Sequence, residues 1–571
     1  MSGFTLGYEL QTGKAYNFEL EVLKLTHSLI LGATGDGKTR LLLFLVRLII
    51  RLGYALGVID GKGDLCRAIQ RDLAWNMIGP DRVAIIDPGA TKEYAPGFNP
   101  IALNGREPYT RAKTVLEAFK RLQGEEEEFK PWLEEITLNS LVPLSHAGLG
   151  LLELEEFLQN DRLRETLVLD TPDPRLHRYW AHKEGLPAKE KHALLMAALT
   201  RAGLLWSGGE GIRRILGQLR DTLDWEKVLS PGGVLLVNAN ASSGVDSSAA
   251  RFLGTLCLQK IIEAASLRPE NERNPLFLII DELHNFASSD VVEALEKLRG
   301  FGVHLLISGQ FLGQFEEVPG LRGAVDSCCQ NRFIFSTSAV DAEELQAQVY
   351  AGHRPDRGTL QQIHTVYFEP KTKWMEVESV SHHPEVTTEN EGSETTRYHP
   401  ETTTHSYGPD GFFSTGSEVG HTTSEAYEET IESGSSFATT PEHDVITRAK
   451  QHITEHDKRS QLTSQQIETL EDLKEHGRVA LMRQPRQHCT IQLQHSAPVP
   501  LKVVDVPEAK TSDELLECWQ RLIYRGYPRA DVLDQELEQR AQRFLENKPV
   551  PYNDFKAIET TPLSVPKKKR D

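Results

Sequence analysis

Residues 29–39 read Leu-Ile-Leu-Gly-Ala-Thr-Gly-Asp-Gly-Lys-Thr. From Gly32 to Thr39 this stretch matches the pattern G-x-x-x-x-G-K-[ST] at every fixed position. It follows a short apolar run that predicts a strand, and it opens a helix that we expect over 38–52. A glycine-rich turn between a strand and a helix N-terminus is the arrangement that cradles phosphate groups. The stretch therefore predicts a P-loop nucleotide-binding site.

Each residue type of this loop has a physical role in binding a polyphosphate. The glycines let backbone N–H groups turn toward the phosphates, where a Cβ would obstruct them. We expect Lys38 to reach the β- and γ-phosphates and Thr39 to ligate Mg²⁺, so that ATP and Mg²⁺ are the predicted ligands. We expect the carboxylate of Asp36 to face solvent, since a negative charge beside phosphates is unfavourable. The predicted nucleotide-binding residues are Gly32, Ala33, Thr34, Gly35, Asp36, Gly37, Lys38, Thr39 and Arg40.

A second motif distinguishes hydrolysing enzymes from other P-loop proteins. Phe277-Leu-Ile-Ile-Asp281-Glu282 predicts a buried strand that ends in two carboxylates. Asp281 is predicted to hold Mg²⁺, and Glu282 is predicted to act as the general base that polarises the attacking water. The alternative is a pair of surface carboxylates at a strand end.

Two further polar residues complete the predicted catalytic set. His304-Leu-Leu-Ile-Ser-Gly-Gln310 predicts another strand that ends in an amide, and Gln310 is expected to contact the γ-phosphate and the attacking water. P-loop motors that hydrolyse ATP usually complete the site with an arginine from the neighbouring subunit. Arg332, at the start of the next predicted strand, is the first candidate and Arg322 the second, although either is also compatible with an ordinary surface arginine. The predicted catalytic residues are Lys38, Glu282, Gln310 and Arg332.

The pattern of strands and helices predicts an α/β fold with a mainly parallel central sheet. Apolar runs predict strands that alternate with helices; they cover 29–31, 55–60, 83–87, 234–238, 276–281, 304–308 and 332–336. Residues 106–225 carry only helical patterns and are interpreted as an all-helical insertion. Past residue 446 we expect helices, a strand pair at 478–482 and 490–494, and a helical segment over 513–546.

These patterns divide the chain into six segments. The predicted ATPase domain comprises an N-terminal part over 1–105, a C-terminal part over 226–375 and a closing part over 446–504. The helical insertion interrupts it at 106–225. A flexible acidic segment rich in Ser and Thr is predicted over 376–445, with an exposed hairpin arm as the alternative. The last segment, 505–571, is predicted to be helical with the basic tail Lys567–Arg570.

Composition excludes several classes of protein. Thirteen acidic residues and one arginine lie between Ser381 and Val445, a net charge of −12, so that the rest of the 571-residue chain carries −7 of the total −19. The charge neither favours nor excludes DNA binding. Six cysteines without a C-x-x-C pair argue against a disulfide scaffold and a zinc site, and they fit a reducing compartment. No signal peptide and no apolar run of about 18 residues is present. We therefore expect a cytoplasmic protein.

Several motifs together resemble the FtsK/HerA superfamily of P-loop ATPases, and in particular the coupling proteins of type IV secretion and conjugation. Residues 58–64 read Val-Ile-Asp-Gly-Lys-Gly-Asp and resemble the family's D-P-K-G-[DE] element, with Gly61 in place of the usual proline. The same order of elements continues through Asp87-Pro88, Phe98-Asn-Pro100, Gly217-Gln-Leu219, Val234–Asn238, Asp281–Phe286 and Gly309-Gln310. The resemblance covers about residues 15–375.

The resemblance implies a RecA-like motor that hydrolyses ATP in a homohexameric ring and moves DNA through its centre. It implies a relaxase or a secretion-channel protein as a further partner. Most coupling proteins carry N-terminal membrane helices, and this sequence has none, so we expect either a soluble motor or docking at the inner membrane through a partner. Two alternatives remain open: an ATPase of the same fold that moves protein, or a soluble HerA-like DNA-processing motor. A nucleotide switch that does not act as a motor is a third reading.

Overall fold

A computed structural model of the protein describes residues 4–79, 81–122, 130–241, 244–350, 361–383, 443–466, 470–494 and 496–546. The strands are β1 Phe4–Glu9, β2 Ala15–Phe18, β3 Ser28–Leu31, β4 Ala55–Asp60, β5 Val83–Ile86, β6 Val234–Asn238, β7 Leu276–Asp281, β8 Val303–Gly309, β9 Asn331–Ile334, β10 Gln361–His383, β11 His443–Gln466, β12 His488–Gln492 and β13 Val499–Val503.

The helices lie between these strands and at the C-terminal end. They are α1 Lys38–Arg51, α2 Asp64–Trp75, α3 Pro108–Leu122, α4 Pro131–His146, α5 Glu153–Gln159, α6 Asp161–Asp170, α7 Pro174–Glu184, α8 Ala188–Ser207, α9 Glu210–Leu216, α10 Trp225–Val228, α11 Ser247–Ser266, α12 Ser289–Leu298, α13 Leu321–Cys328, α14 Ala339–Val349, α15 Leu470–Met482, α16 Asp513–Tyr524 and α17 Ala530–Leu545.

One large sheet organises the first of two compact units, which comprises residues 1–359 and 468–571. Its strand order is β2-β1-β13-β12-β9-β3-β8-β7-β4-β6-β5. The seven strands from β9 to β5 are parallel, and the four from β12 to β2 extend the sheet in antiparallel pairs. Strand β8 separates β3 from β7, which gives the RecA-like order. The predicted α/β fold with a mainly parallel sheet is confirmed.

The apolar strands are buried because both faces of the sheet are covered. Alternate residues of a strand point to opposite faces. In β3, Leu29 and Leu31 join the hydrophobic layer that contains the helical block, whereas Ile30 joins the layer beneath α1, α2 and α16. A parallel sheet with helices on both faces explains why these strands read as continuous apolar runs.

The predicted helical insertion contains helices α3 to α10, and no strand occurs within the described part of 106–225. These helices share one hydrophobic layer with the sheet: Phe119 of α3 packs on Phe252 of α11, with ring centroids 4.7 Å apart. Phe98, in the connection before the block, packs against Trp225 of α10. The block is therefore continuous with the core of the first unit.

Two predictions of secondary structure were wrong. The strand expected at 478–482 lies in α15, and residues 446–466, where helices were expected, belong to β11. The helical segment expected over 513–546 is confirmed as α16 and α17, and the connection between these helices contains Gly526 and Pro528, which disfavour a continuous helix. The strand expected at 490–494 is confirmed as β12, displaced by two residues.

The second compact unit covers residues 360–467 and contains the antiparallel strands β10 and β11. They pair in register from Gln361 with Gln466 to His383 with His443, with one irregularity at Ile363/His364. The ends of the predicted flexible segment, 376–383 and 443–445, thus lie in these strands. Residues 384–442, the remainder of that segment, lie outside the described residues.

The C-terminal segment, residues 505–546, runs across α1 and α2 and continues to α9. Near its start, the carbonyl oxygen of Pro507 accepts a hydrogen bond from Arg47 of α1 at 2.7 Å. In α16, Trp519 donates to the carbonyl oxygen of Ile78 at 2.8 Å. In α17, Asp534 accepts two hydrogen bonds from Arg214 of α9, at 2.9 and 2.7 Å. This segment therefore joins the helices of the sheet to the helical block.

No helix in the described ranges is long and apolar enough to cross a membrane.

Asp72 connects three parts of the first unit. Its carboxylate accepts two hydrogen bonds from Arg47, at 2.6 and 2.8 Å, and a third from the backbone N–H of Ala509 at 3.2 Å. The Asp72 side chain is 7% exposed and the Arg47 side chain 40% exposed. Because Arg47 remains partly hydrated, we expect Asp72→Ala to lower the free energy of unfolding by about 2 kcal/mol, less than the loss of a fully buried pair costs.

Chemical denaturation of the full chain measures this change. Asp513→Ala is the matched control, because Asp513 also pairs with an arginine, Arg71, but its side chain is 82% exposed. We expect this control to change the free energy of unfolding by less than about 0.5 kcal/mol. Equal effects of the two variants would contradict the role given to Asp72.

Candidate nucleotide site

The P-loop and the acidic strand meet at one edge of the parallel sheet. Leu31, the last residue of β3, is in register with Gly309 of β8, and Ser308 is in register with Asp281 of β7. Parallel strands end at the same edge, and two strand spacings amount to about 10 Å. The sequence elements at 32–39 and 281–282, separated by more than 200 residues, are therefore neighbours in the fold.

The P-loop has the backbone conformation that its glycines allow. Gly37, which precedes α1, has φ 119°. A Cβ at this position would lie 3.2 Å from the Cα of Gln487, in the turn before β12. The backbone N–H of Gln487 donates to the carbonyl oxygen of Asp36 at 2.7 Å. The turn before β12 thus packs directly on the phosphate-binding loop.

Lys38 is buried at the start of α1. Its ammonium group donates to the carbonyl oxygen of Gly32 and to that of Ala33, the latter at 3.0 Å. Burial lowers the pKa of Lys38, and the positive charge of Lys62 lowers it further, whereas Asp281 and Glu282 act in the opposite direction. These mutual influences place the two acidic residues and both lysines within electrostatic range of one another.

The remaining loop residues have different environments. The sequence led us to expect that the carboxylate of Asp36 faces solvent. Instead, Asp36 is half-buried, and its carboxylate accepts a hydrogen bond from the N–H of Ala33 at 3.0 Å. Thr34 and Thr39 are exposed, and the hydroxyl of Thr34 lies 3.5 Å from the amide oxygen of Gln310. Arg40 points to the C-terminal segment, where it donates to the carbonyl oxygen of Val506 at 2.6 Å.

Glu282 is the most heavily constrained residue of the site. It has a left-handed backbone conformation, with φ 59° and ψ 56°, which is uncommon for a residue other than glycine and is concentrated at functional sites. Its side chain is 4% exposed. The carboxylate accepts hydrogen bonds from the ammonium group of Lys62, from Gln310 at 2.9 Å and from Gln314 at 3.1 Å. Nδ1 of His284 lies 3.6 Å from it.

The two adjacent carboxyl groups have pKa values shifted in opposite directions. Burial is the largest single influence on Glu282 and raises its pKa. The hydrogen bonds from Lys62 and Gln310, together with the charges of Lys62 and His284, act in the opposite direction, and the pKa of Glu282 is lowered overall. Burial is also the largest influence on Asp281, and it raises the pKa of this carboxyl group. The hydroxyl of Ser308 donates to the carboxylate and acts against burial, whereas the charge of Asp60 adds to the effect of burial, so the pKa of Asp281 is raised overall. Glu282 is thus a stable anion, whereas Asp281 lacks an ion-pair partner among the described residues.

Three residues of this site were not assigned a role from the sequence. Asp60 accepts backbone hydrogen bonds from Lys62 at 2.9 Å, Gly63 at 2.8 Å and Cys66 at 2.8 Å, and so shapes the loop between β4 and α2. Lys62, in that loop, pairs with Glu282. Gln314 bridges Glu282 and the backbone N–H of Gln310, to which its oxygen binds at 2.8 Å. Asp60 and Lys62 belong to the D-G-K-G-D motif, which was a usable signal; nothing in the local sequence singled out Gln314.

The two candidate arginines lie outside this group of residues. Arg332 is 9% exposed, on β9, and burial lowers the pKa of its guanidinium group, while the charges that act on it come from Asp326, Cys329 and Arg322. Arg322 is paired with Asp326 at 2.7 Å, with Glu316 at 3.8 Å and with Glu344. The role of either arginine in a neighbouring subunit stays a prediction.

The donor set of the site fits Mg²⁺ better than a transition metal. No group of three or more His, Cys, Asp or Glu side chains that could hold a metal ion occurs among the residues with a described position. Mg²⁺ usually takes one or two protein oxygen ligands and completes its shell with waters and substrate phosphates. The carboxylate of Asp281 and the exposed hydroxyl of Thr39, at the same edge of the sheet, could supply such ligands.

Comparison with known proteins gives one match in sequence. Residues 219–358 match the profile of the type IV secretion-system coupling protein DNA-binding domain. The match includes the acidic strand β7, Gln310 and Gln314. The predicted resemblance to type IV secretion coupling proteins is therefore confirmed for this part of the chain. No curated protein matches the chain.

Several solved structures are similar to the chain at low sequence identity. The unbound bacterial conjugative coupling protein TrwBΔN70 is 14% identical, with 90% of each chain covered and a TM-score of 0.48. The plasmid coupling protein TrwB in complex with ADP and Mg²⁺ is 19% identical, with 58% of this chain and 75% of that chain covered and a TM-score of 0.43. VirB4 of Thermoanaerobacter pseudethanolicus is 13% identical, with 61% and 87% covered and a TM-score of 0.43.

Removal of the buried ammonium group of Lys38 tests whether this residue binds phosphate. We expect Lys38→Ala to weaken ATP binding by about tenfold or more, because a charge-assisted hydrogen bond to phosphate is lost. Isothermal titration of the full chain with ATP and Mg²⁺ measures this affinity. Lys297→Ala, whose lysine in α12 is 60% exposed, is the control and should bind ATP as the wild type does. An unchanged affinity of Lys38→Ala would contradict the assignment.

Proposed function

We propose that the chain is an ATP-driven motor of the coupling-protein type, which hydrolyses ATP as a homohexameric ring and moves DNA. One observation carries the proposal: the carboxylate of Glu282, the predicted base, is buried and held by Lys62, Gln310 and Gln314 at the sheet edge that also bears the P-loop. The match of residues 219–358 to the coupling-protein DNA-binding domain supports DNA as the partner.

In this proposal each residue of the site has one task. Lys38 and the backbone N–H groups of the P-loop would bind the phosphates, and Thr39 and Asp281 would hold Mg²⁺, which would neutralise phosphate charge. Glu282 accepts the proton of the attacking water, a step for which an anionic carboxylate is required.

Gln310 is proposed to report the state of the nucleotide. It is hydrogen-bonded to Glu282 at 2.9 Å, and its oxygen lies 3.5 Å from the hydroxyl of Thr34. It thereby links the base to the phosphate-binding loop. A motor needs such a link, since the presence of the terminal phosphate has to change contacts elsewhere in the protein.

The catalytic arginine is proposed to come from a neighbouring subunit, with Arg332 as the first candidate and Arg322 as the second. Arg322 already pairs with three carboxylates of its own chain, which neutralise its charge. Arg332 makes no such pair among the described residues, and its Nε has no hydrogen-bond partner there. These facts favour Arg332 over Arg322.

ATP turnover by the purified full chain, with and without DNA, tests the function. We expect single- or double-stranded DNA to raise turnover severalfold. We expect Glu282→Gln to reduce turnover by about 10²-fold or more, since loss of a general base typically costs that much, while bound ATP is retained. Turnover that neither form of DNA stimulates, or that survives in Glu282→Gln, would refute the proposal. Stimulation by a protein partner alone would indicate a motor that moves protein.

The contact of Gln314 generates a separate prediction. Gln314→Leu keeps the size of the side chain but removes the donor to Glu282 and the acceptor for the N–H of Gln310. We expect kcat to fall by about tenfold, because a misplaced base costs rate, whereas the dissociation constant for ATP should change by less than about twofold. Steady-state kinetics together with titration separate the two quantities. An unchanged kcat would show that Gln314 does not position the base.

A further inference from the structure

Lys62 is a second lysine at the nucleotide site, and the tasks proposed above do not use it. Its side chain is 41% exposed, whereas that of its partner Glu282 is 4% exposed. The ammonium group therefore approaches a buried carboxylate from the solvent side of the sheet edge. A lysine in this position can leave its partner without disturbing the core.

The loop that carries Lys62 is built to aim the side chain at the site. Asp60, which is fully buried, accepts the backbone N–H groups of Lys62, Gly63 and Cys66 at 2.8–2.9 Å. Gly63 has φ 84°, and a Cβ there would lie 3.0 Å from the side-chain oxygen of Asn238. The backbone at Lys62 is thus fixed, while the four-carbon stem of its side chain keeps its freedom.

Glu282 does not depend on Lys62 for its position. The amides of Gln310 and Gln314 both donate to it, and the oxygen of Gln314 is itself held by the N–H of Gln310. Two neutral donors therefore remain on the carboxylate when the lysine is withdrawn.

The two lysines of the site lie close enough for the charge of one to act on the other. Lys38 opens α1 directly behind the P-loop, and the charge of Lys62 acts on it across the site. Each ammonium group is hydrogen-bonded to protein oxygens, Lys38 to carbonyls of the P-loop and Lys62 to Glu282. A polyphosphate carries far more negative charge than either set of partners, and it would compete for both.

We propose that Lys62 exchanges partners, so that Glu282 and the terminal phosphate of a bound nucleoside triphosphate compete for its ammonium group. The inference rests on the proposed function only in that the P-loop binds the nucleotide. Lys62 then distinguishes a triphosphate from a diphosphate, because a diphosphate lacks the terminal phosphate that competes with Glu282 for the ammonium group. Its departure leaves the Glu282 carboxylate hydrogen-bonded to the amides of Gln310 and Gln314.

Binding to the full chain tests this exchange without any need for turnover. The probes are adenylyl imidodiphosphate, which keeps a terminal phosphate, and ADP, each with Mg²⁺. We expect Lys62→Met to weaken binding of the imidodiphosphate by about tenfold or more, the loss of one charge-assisted hydrogen bond. Binding of ADP should weaken by less than about threefold. Lys62→Arg should restore most of the discrimination, and Lys297→Met, at the exposed lysine of α12, should have no effect.

Kinetics distinguish the exchange from a role in holding the base. If Lys62 binds the terminal phosphate, Lys62→Met raises KM for ATP and leaves kcat within about threefold, because Gln310 and Gln314 keep Glu282 in place. A fall in kcat with unchanged triphosphate binding would overturn the proposal in favour of a positioning role. If Lys62→Met weakens the binding of both nucleotides equally, the proposal is overturned in favour of a structural role for Lys62.

The failure of this inference and the failure of the proposed function have different signatures. A chain that discriminates the two nucleotides through Lys62 but shows no turnover supports the exchange and refutes the ATPase. A chain that hydrolyses ATP, with both nucleotides bound equally well by Lys62→Met and wild type, supports the ATPase and refutes the exchange. A wild-type chain that binds neither nucleotide refutes both.

Discussion

Burial of the Glu282 carboxylate is the constraint on which the rest of the site depends. An ion taken out of water costs several kcal/mol unless partners replace its hydration, and here the partners come from separate elements. Lys62 follows β4, whereas Gln310 and Gln314 follow β8. These donors converge only because β4, β7 and β8 are neighbours that end at one edge of the sheet.

The same edge gives two adjacent carboxyl groups, Asp281 and Glu282, different environments. Glu282 has a cation and two amides, and its pKa is lowered in spite of burial. Asp281 has one hydroxyl donor and two carboxylates nearby, Asp60 and Glu282, and its pKa is raised mainly by burial. The first group is stabilised as an anion by partners within the chain, and the second gains most from a bound cation. Environments that shift the pKa values of neighbouring carboxyl groups in opposite directions are typical of sites in which the two groups have different tasks.

The C-terminal part of the chain is a structural component of the nucleotide site. The turn before β12 binds the backbone of Asp36 and packs on Gly37, and Arg40 binds the carbonyl oxygen of Val506. From there the C-terminal segment continues over α1 and α2 and reaches α9 through the ion pair of Asp534 with Arg214. The C-terminal segment therefore connects the P-loop to the helical block through contacts with both.

The sequence alone determined the local parts of this protein. The P-loop, the strand that ends in Asp281 and Glu282 and the helices of 106–225 follow from side chains close together in the chain, because hydrophobic period and turn chemistry act over a few residues. The antiparallel extension of the sheet, the pairing of β10 with β11 and the partners of Glu282 were decided by tertiary structure. Lys62 and Glu282 are 220 residues apart, and their contact depends on strand order, which arises from the packing of the whole sheet and leaves no local pattern at either residue.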